Sequence, residues 1–334
     1  MKHQNTFTKE VNIIKNEKRL IDTLIGESFS GHLLVSDVTK GTTRNGKTYL
    51  KVSLSDASLT ISTMIWSIDD YAEKAYQTGN VLYINGTVYK FNEQLQIDLI
   101  NPGTIAEPND YDRSDLVRTA PISGAMAYIS IWETVNHFED HDLRVIVQSI
   151  LTELKEQLET ASAATYVHHQ YEGGLLYHTI SMLDMAAGLT NGVHKDVINA
   201  ELLKAGIILH DIGKVFEYDQ TKDGSVAKQT TYGRLKGHIS IISELIYRTA
   251  SLYNIEESQS IMLLQHMILS HHGHVQYGWG STVSPQIIEA EILHTLDNLD
   301  ASIDAYKTAI KTIETGQWSD KIVALDQRSF YKHQ

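Results

Sequence analysis

The sequence predicts an α+β protein with two domains, a small β-barrel followed by an all-α helical bundle. Its 334 residues exceed the length of one typical domain. Between residues 29 and 105, apolar and polar side chains alternate over short segments, which is typical of β-strands. From about residue 120 onward, apolar side chains recur every three to four positions, which indicates amphipathic helices.

Five strands are predicted in the N-terminal domain: FSGHLLVSDV, TYLKVSLSD, LTISTMIWS, VLYINGTVYKF and LQIDLIN. Turn signals occur at Asn45-Gly46 and at Asn85-Gly86. A helix is predicted at about 69–78, between the third and fourth strands. This order favours an OB-like barrel, a fold that binds single strands on one face. An SH3-like barrel and a small sandwich are the alternatives.

The domain boundaries follow from composition. The segment NPGTIAEPNDYDRSD holds two of the chain's four Pro residues and reads as a linker. We predict an N-terminal arm at 1–28, an OB-like nucleic-acid-binding domain at 29–110, a linker at 111–125 and the helical domain at 126–334. Residues 218–236 interrupt the helical pattern and indicate a loop or a hairpin.

The composition limits the chemistry. The chain has no Cys, so disulfides and thiolate metal sites are excluded, and a cytoplasmic location is expected. No apolar run approaches the length of a membrane span, so no membrane association is expected. The net charge is -13, and the acidic excess lies mainly after residue 110. An acidic domain containing many His residues can attract divalent cations, which then supply the positive charge that a phosphate needs.

Several His and Asp residues form an ordered set in the helical domain: His178 after a Gly pair, the adjacent His210 and Asp211, His238 after Gly237, the pair His271 and His272, and Asp297. Residues near helix ends can project nitrogen and oxygen atoms toward one point. The two oxygens of the Asp211 carboxylate could bridge two cations, with His178, His210 and Asp297 completing one centre. His238 and His271 would hold the other, and His272 is a further candidate there. Two such cations can polarise one phosphate. The ligand types suit Mn, Fe, Zn or Co.

Five stretches carry a resemblance to known proteins: HHQYEGGLLYHT, LLKAGIILHDIGKV, LKGHISI, MILSHHG and EAEILHTLDNLDA. The region 165–330 resembles the HD-domain phosphohydrolase superfamily, and the whole chain resembles the YhaM family of bacterial 3′-to-5′ exoribonucleases. The resemblance implies an OB-like domain followed by an HD-domain helical bundle, with Mn-dependent release of nucleoside monophosphates from a 3′ end. It assigns metal ligation to His178, His210, Asp211, His238, His271 and Asp297. Tyr177 departs from the acidic residue that is common in relatives.

Other residues near this set have two interpretations each. Lys214 would share a helical face with His210 if the helix continued; it could neutralise a phosphate oxygen beside the catalytic Asp211, or pair with Glu217. His168 and His169 could contact substrate or stabilise a helix start. His294 could support a metal ligand or serve only in packing. Asp300 and Asp304 are expected to face solvent or pack between helices.

The N-terminal domain has a basic stretch with an aromatic residue among the cations: Lys40, Arg44, Lys47, Tyr49 and Lys51. Cations attract the backbone of a nucleic acid, and aromatic rings stack on its bases, so we expect this loop to contact single-stranded RNA. The aromatic residues Trp66, Tyr83, Tyr89 and Phe91 are further candidates, although some must belong to the barrel core.

The ligand pattern and the family resemblance together predict an exoribonuclease with two divalent cations that acts on single-stranded RNA, with single-stranded DNA as a second candidate substrate. The resemblance implies that the cations are Mn²⁺. A homo-oligomer could enclose the site so that only free ends enter. One alternative is a phosphohydrolase of small or cyclic nucleotides, although no GYP triplet follows the His pair. The other is a non-catalytic nucleic-acid-binding adaptor, which would predict broken ligand positions.

Overall fold

The computed structural model describes residues 16, 18–43, 45–91, 94–117, 120–163, 172–220, 226–278, 280–311 and 313–334. The chain forms two compact units, Met1–Arg118 and Thr119–Gln334. The first is built on a sheet and the second on helices, so the predicted α+β architecture is confirmed.

The first unit is a barrel with a short helix between its third and fourth strands. Its elements are β1 (Ser28–Thr42), β2 (Thr48–Ser55), β3 (Thr60–Ile65), α1 (Asp70–Ala75), β4 (Val81–Phe91), β5 (Gln94–Leu99), β6 (Thr104–Ile105) and α2 (Arg113–Leu116). Asp69 caps α1 by accepting a hydrogen bond from the backbone N–H of Ala72 at 2.7 Å.

The barrel closes because β1 pairs on both sides. Its first half, from Ser28 to Leu34, runs antiparallel to β4, and its second half, as far as Thr42, runs antiparallel to β2. The register shifts between Val35 and Asp37, where the strand passes from one partner to the other. The pairings β2–β3, β3–β5 and β5–β4 complete the ring. This strand order is that of the OB-like barrel predicted from the sequence.

Alternation along β2 separates the barrel core from its outer surface. Leu50, Val52 and Leu54 point inward and are almost fully buried, while Tyr49 and Lys51 lie on the opposite face. The turn predicted at Asn85-Gly86 is wrong, because both residues lie inside β4, opposite β1 and β5. 

The second unit contains eight α-helices and one hairpin among the described residues: α3 (Gly124–Asn136), α4 (His141–Thr160), α5 (Gly174–Thr190), α6 (Ala200–Leu209), α7 (Lys214–Glu217), β7 (Tyr218–Gln220), β8 (Val226–Gln229), α8 (Thr231–Tyr253), α9 (Gln259–Ser270) and α10 (Ile288–Ile310). The interruption predicted at 218–236 is the β7–β8 hairpin followed by the start of α8.

Helix α6 lies at the centre of this unit and packs against α4, α5, α9 and α10. Its C-terminal half, AGIIL, is apolar on every side, which is typical of a helix surrounded by others. Leu203 and Ile207 have no exposed surface, nor do Leu264 on α9 and Leu293 on α10. The residues that directly follow α6 are therefore held in the interior. None of the described helices combines the length and the apolar character that crossing a membrane requires.

Candidate metal centre

Three of the predicted ligands form a first group, which we call cluster 1: His178, His210 and Asp297. His178 lies in the first turns of α5, His210 directly follows α6, and Asp297 lies on α10. The Nε2 atom of His178 is 3.3 Å from Nε2 of His210 and 3.3 Å from Oδ1 of Asp297. His210 Nε2 is 4.0 Å from the same carboxylate oxygen. Two nitrogens and one oxygen thus converge on a volume that could hold one cation.

The other group, cluster 2, consists of His238, His271 and His272. One nitrogen of each ring lies within 4.8 Å of the other two. His271 and His272 follow the last residue of α9. His238 follows Gly237, whose φ of 69° interrupts the helical geometry of α8. Glycine adopts this left-handed conformation without strain. The backbone of α8 can therefore bend immediately before the candidate ligand His238.

Asp211 lies between the two clusters and is almost completely buried. Its Oδ2 is 3.5 Å from Nε2 of His210 in cluster 1. Its Oδ1 is 3.6 Å from Nε2 of His238 and 4.0 Å from Nε2 of His271, both in cluster 2. Each oxygen of one carboxylate therefore faces a different cluster, which is the arrangement that a bridging ligand requires.

Four of the imidazoles make a hydrogen bond through Nδ1, which fixes the orientation of the ring. The acceptors are Asp300 Oδ2 at 2.6 Å for His178, the carbonyl of Ile207 at 2.8 Å for His210, Glu217 Oε2 at 2.7 Å for His238, and the carbonyl of Ile268 at 2.7 Å for His271. A carbonyl or an ionised carboxylate oxygen can only accept, so each Nδ1 donates its proton. The Nε2 atoms are thereby directed toward the centre, as they are in His ligands of metals.

Two of the Nε2 atoms make no hydrogen bond within the described part of the chain. Nε2 of His238 and Nε2 of His271 are buried and have no hydrogen-bond partner among the described residues. A buried nitrogen lone pair without a partner costs free energy, and binding to a cation would remove that cost. Together with the carboxylate of Asp211, these donors suit a divalent transition metal.

The electrostatics of the site favour cation binding. Burial would raise the pKa of the Asp211 carboxyl, but Lys214 and the neighbouring imidazoles hold it well below its usual range. Burial disfavours the charged form of His178, but its hydrogen bonds with Asp297 and Asp300 outweigh burial and raise its pKa to about 9. Asp211 is thus anionic at neutral pH, whereas His178 carries a proton that an arriving cation has to displace.

Lys214 reaches the site by a different route from the one predicted. Helix α6 ends at Leu209, so Lys214 does not continue the helical face of His210 and instead begins the short helix α7. Its Nζ donates to Oδ2 of Asp211 at 2.7 Å and is mostly buried. The ammonium group therefore lies beside the carboxylate that faces both clusters.

Sequence reasoning missed the two carboxylates behind the ligands. One of the two interpretations of Asp300 places it in solvent, and this is wrong. Only 3% of Asp300 is exposed, and its carboxylate accepts a hydrogen bond from His178. Glu217 was considered only as a partner for Lys214, yet it binds His238. The spacing of Asp300, one helical turn after Asp297, was the available signal.

The remaining candidates of the helical domain have mixed outcomes. Nδ1 of His294 hydrogen-bonds to the backbone carbonyl of His271 at 3.0 Å, so it contacts a cluster 2 residue without belonging to either cluster. His168 and His169 lie outside the described residues.

Among the barrel candidates, Tyr49 and Trp66 are in contact. Their ring centroids are 5.4 Å apart, and 61% of Trp66 is exposed. Lys40 Nζ lies 3.8 Å from the carboxylate of Glu73, and Lys51 lies on the same face of β2 as Tyr49. Lys47 is exposed beside the β1–β2 turn, and Arg44 lies outside the described residues.

Comparison with known proteins gives two findings. The HD domain family matches residues 175–302. This range includes both clusters, Asp211, and the carboxylates of Glu217 and Asp300 that accept from His238 and His178. Over 316 residues the chain is 34% identical to a protein of Geobacillus sp. (strain WCH70) named 3'-5' exoribonuclease YhaM. That alignment covers 94% of this chain and 95% of the relative, so it includes the barrel as well as the helical unit.

Proposed function

The chain belongs to the YhaM family, and from that premise we propose that it is a metal-dependent 3′-to-5′ exoribonuclease that releases nucleoside monophosphates from single-stranded RNA. The observation that carries the proposal is the position of Asp211, with one carboxylate oxygen toward each cluster of imidazoles. An adaptor without catalytic activity would have no need to keep so many buried ionisable groups at one point.

We propose two divalent cations, one held by His178, His210 and Asp297 and the other by His238, His271 and His272, with Asp211 shared between them. When bound, such a pair would polarise the scissile phosphate and lower the pKa of water at the site. Mn²⁺ is the proposed ion because the resemblance to the YhaM family implies it, and the mixed imidazole and carboxylate ligands are compatible with it. Fe, Co and Zn accept the same ligand types.

Lys214 would neutralise charge on the phosphate as it develops. Its ammonium already lies 2.7 Å from Asp211 and only 13% of its side chain is exposed. A cation in a mostly buried site interacts more strongly with a phosphoryl oxygen than a solvated cation does. Its flexible stem allows the ammonium to contact both Asp211 and a substrate oxygen.

The barrel would hold the RNA strand through side chains on its outer face. Gly41 lies opposite Tyr49, and a Cβ at Gly41 would be 2.4 Å from the Tyr49 ring, so the ring covers the glycine backbone. Trp66 contacts this ring and exposes most of its own surface. An exposed indole on a supported aromatic neighbour can stack on any base, and Lys47 and Lys51 would attract the phosphates, as would Lys40 and Arg44.

A nuclease assay tests this function. Purified protein with Mn²⁺ and 5′-labelled single-stranded RNA should give a ladder of shortening products with mononucleotide release, and a chelator should stop it. Asp211→Ala should abolish the ladder, with a rate loss of at least about 1,000-fold, because loss of the shared ligand removes several kcal/mol of charge stabilisation.

The same preparation should be offered single-stranded DNA, deoxynucleoside triphosphates and cyclic dinucleotides. Faster hydrolysis of the small nucleotides than of RNA would replace this proposal with the phosphohydrolase alternative. Circular dichroism of the Asp211→Ala variant controls for its fold. A ladder that survives the substitution would remove Asp211 from the mechanism.

A further inference from the structure

Each cluster holds one imidazole through a side-chain carboxylate and another through a backbone carbonyl. Asp300 accepts from His178 in cluster 1, and Glu217 accepts from His238 in cluster 2. We propose that these two carboxylates are positioning residues, each controlling the binding of one cation and not of the pair. The inference rests on the proposed two-cation centre and goes beyond it, because it assigns a separate control to each position.

Glu217 holds His238 at two points. Its Oε2 is 2.7 Å from Nδ1 of the ring and also accepts the backbone N–H of His238 at 3.0 Å. The break at Gly237 leaves that N–H free of the helical hydrogen-bond pattern, so backbone and ring can meet the same oxygen. Gln229 donates to the other oxygen, Oε1, at 2.9 Å. Glu217 is 6% exposed, so solvent cannot easily replace any of these contacts.

Asp300 holds His178 from the side opposite to Asp297. Its Oδ2 is 2.6 Å from Nδ1 of His178, while Oδ1 of Asp297 is 3.3 Å from Nε2 of the same ring. Ser181, on the helix of His178, donates its hydroxyl hydrogen to Oδ1 of Asp300. One helix, α10, therefore supplies both a proposed ligand and the group that orients a second ligand.

The other two rings are held differently. His210 and His271 donate to carbonyls three residues earlier in the chain, those of Ile207 and Ile268. These contacts belong to the ends of α6 and α9, so no side-chain substitution removes them. An anionic acceptor behind an imidazole also makes Nε2 a better electron donor than a neutral carbonyl does. Among these four rings, His178 and His238 are thus the ones whose metal affinity depends on the carboxylate that accepts from Nδ1.

Among the described residues, the side-chain hydrogen bonds named for the two carboxylates go to different partners. Glu217 bonds to His238 and Gln229, whereas Asp300 bonds to His178 and Ser181. Loss of Glu217 should therefore weaken the cation of cluster 2, and loss of Asp300 that of cluster 1. Removal of an outer carboxylate of this kind costs about 10- to 100-fold in metal affinity.

The test measures Mn²⁺ binding by calorimetry on the metal-stripped full chain. Glu217→Leu and Asp300→Leu remove the acceptor. Glu217→Gln and Asp300→Asn keep one oxygen that can accept from the imidazole, but they remove the charge and replace the other oxygen, which accepts from Gln229 or Ser181, with an NH2 donor. We expect each Leu variant to bind one ion with wild-type affinity and the other about 10- to 100-fold more weakly. The amide variants should show a smaller loss at the same position. Electron paramagnetic resonance should show the spectrum of an isolated Mn²⁺ replacing that of a coupled pair.

A background variant assigns the positions. In His178→Ala, the remaining high-affinity ion should be that of cluster 2. Adding Glu217→Leu should weaken that ion, and adding Asp300→Leu should leave its affinity unchanged. Glu289→Gln is the matched control, because Glu289 is also a buried carboxylate that accepts a backbone N–H, from Asn199 at 2.7 Å. It should leave the affinity for both ions unchanged.

Two results would overturn the inference. One is that the Glu217 and Asp300 variants, folded by circular dichroism, bind both ions as the wild type does. The other is that either substitution weakens both ions equally. If Glu217→Leu fails to fold, the nearly isosteric Glu217→Gln decides the question by the same comparison. Binding of fewer than two ions by the wild type would instead contradict the proposed centre itself.

Discussion

The two units of this protein present their candidate functional groups in opposite ways. In the helical unit, His178, His210 and His271 have no exposed surface, and each is fixed by a hydrogen bond at Nδ1. In the barrel, Trp66 and Lys51 are exposed on an outer surface. The difference fits the tasks proposed for the two units, because cation binding requires ligand atoms held within a fraction of an ångström, whereas strand binding tolerates side-chain movement.

This contrast predicts how substitutions divide between rate and affinity. Changes near Asp211 should act on the chemical step, because they alter groups that face the reacting phosphate. Changes on the barrel should act on affinity for RNA and leave the rate at saturating substrate unchanged.

The largest of these effects should come from Lys214. Lys214→Met keeps the length of the side chain and removes its charge, so kcat should fall by about 100- to 1,000-fold, the typical loss for one charge-stabilising donor. Single-turnover cleavage of labelled RNA measures this, and Lys214→Arg, which keeps the charge, should lose less. If Mn²⁺ binding falls in parallel with the rate, Lys214 acts by holding Asp211 and not through the phosphate.

A smaller effect is expected at Trp66. Trp66→Ala should weaken RNA binding by about 5- to 150-fold, since stacking of one base contributes about 1–3 kcal/mol, with kcat unchanged. Trp318 is a matched control, because it is 66% exposed and its ring contacts that of Tyr331 with centroids 5.5 Å apart. Trp318→Ala should bind RNA normally. Equal losses in the two variants would contradict a specific role for the barrel ring.

The two units should also differ in pH dependence. The pKa of His178 is about 9 without metal, so its proton competes with the cation below that pH. Apparent Mn²⁺ affinity should therefore rise by about tenfold per pH unit from neutral pH toward 9, and calorimetry in two buffers should detect proton release. RNA binding by metal-free protein should change little over this range. If Mn²⁺ binding released no proton at neutral pH, His178 would not be a protonated ligand that the cation displaces.

The same shift has a consequence for stability. Because the folded state raises the pKa of His178 from 6.5 to about 9, its contribution stabilises metal-free protein fully below about pH 6.5. The contribution is lost as the pH rises through about 9. Thermal unfolding of metal-stripped protein across this range should show the decline, and His178→Asn should flatten it.

The smallest effect should come from single lysines of the barrel. The logarithm of the RNA-binding constant should fall linearly with the logarithm of the salt concentration, because each neutralised phosphate releases a counterion. Lys51→Gln should reduce the magnitude of that slope by about one. Lys40 lies 3.8 Å from a carboxylate oxygen of Glu73, so Lys40→Gln should change the slope less. An equal change for both lysines would show that this ion pair does not persist in solution.

How far the sequence predicted the site depended on the chemistry of each residue. His178, His210, Asp211, His238 and Asp297 could be identified because few residue types bind cations, and their order along the chain is distinctive. The structure brings these five side chains together, and with them His271, the sixth predicted ligand.

The supporting groups could not be identified in the same way. Asp300 and Glu217 resemble surface acids until the fold buries them against imidazoles. Lys214 was expected near His210 through a continuous helix, yet the helix ends and a turn brings it to Asp211. In the barrel, Asn85-Gly86 has a strong local turn preference, but pairing with two neighbouring strands overrides it.

The double pairing of β1 limits how the barrel can recognise a partner. Each of the strands β1 to β5 has a neighbour on both sides along part of its length, and the shortest seam is that of β3 with β5, which pair at Ser62 and Gln96. The doubly paired segments leave little open edge along which an incoming chain could extend the sheet. Under the proposed function, contacts with RNA would come mainly from aromatic rings and ammonium groups, which read little of the base sequence. Such a barrel would bind RNA strands of different sequence with similar affinity.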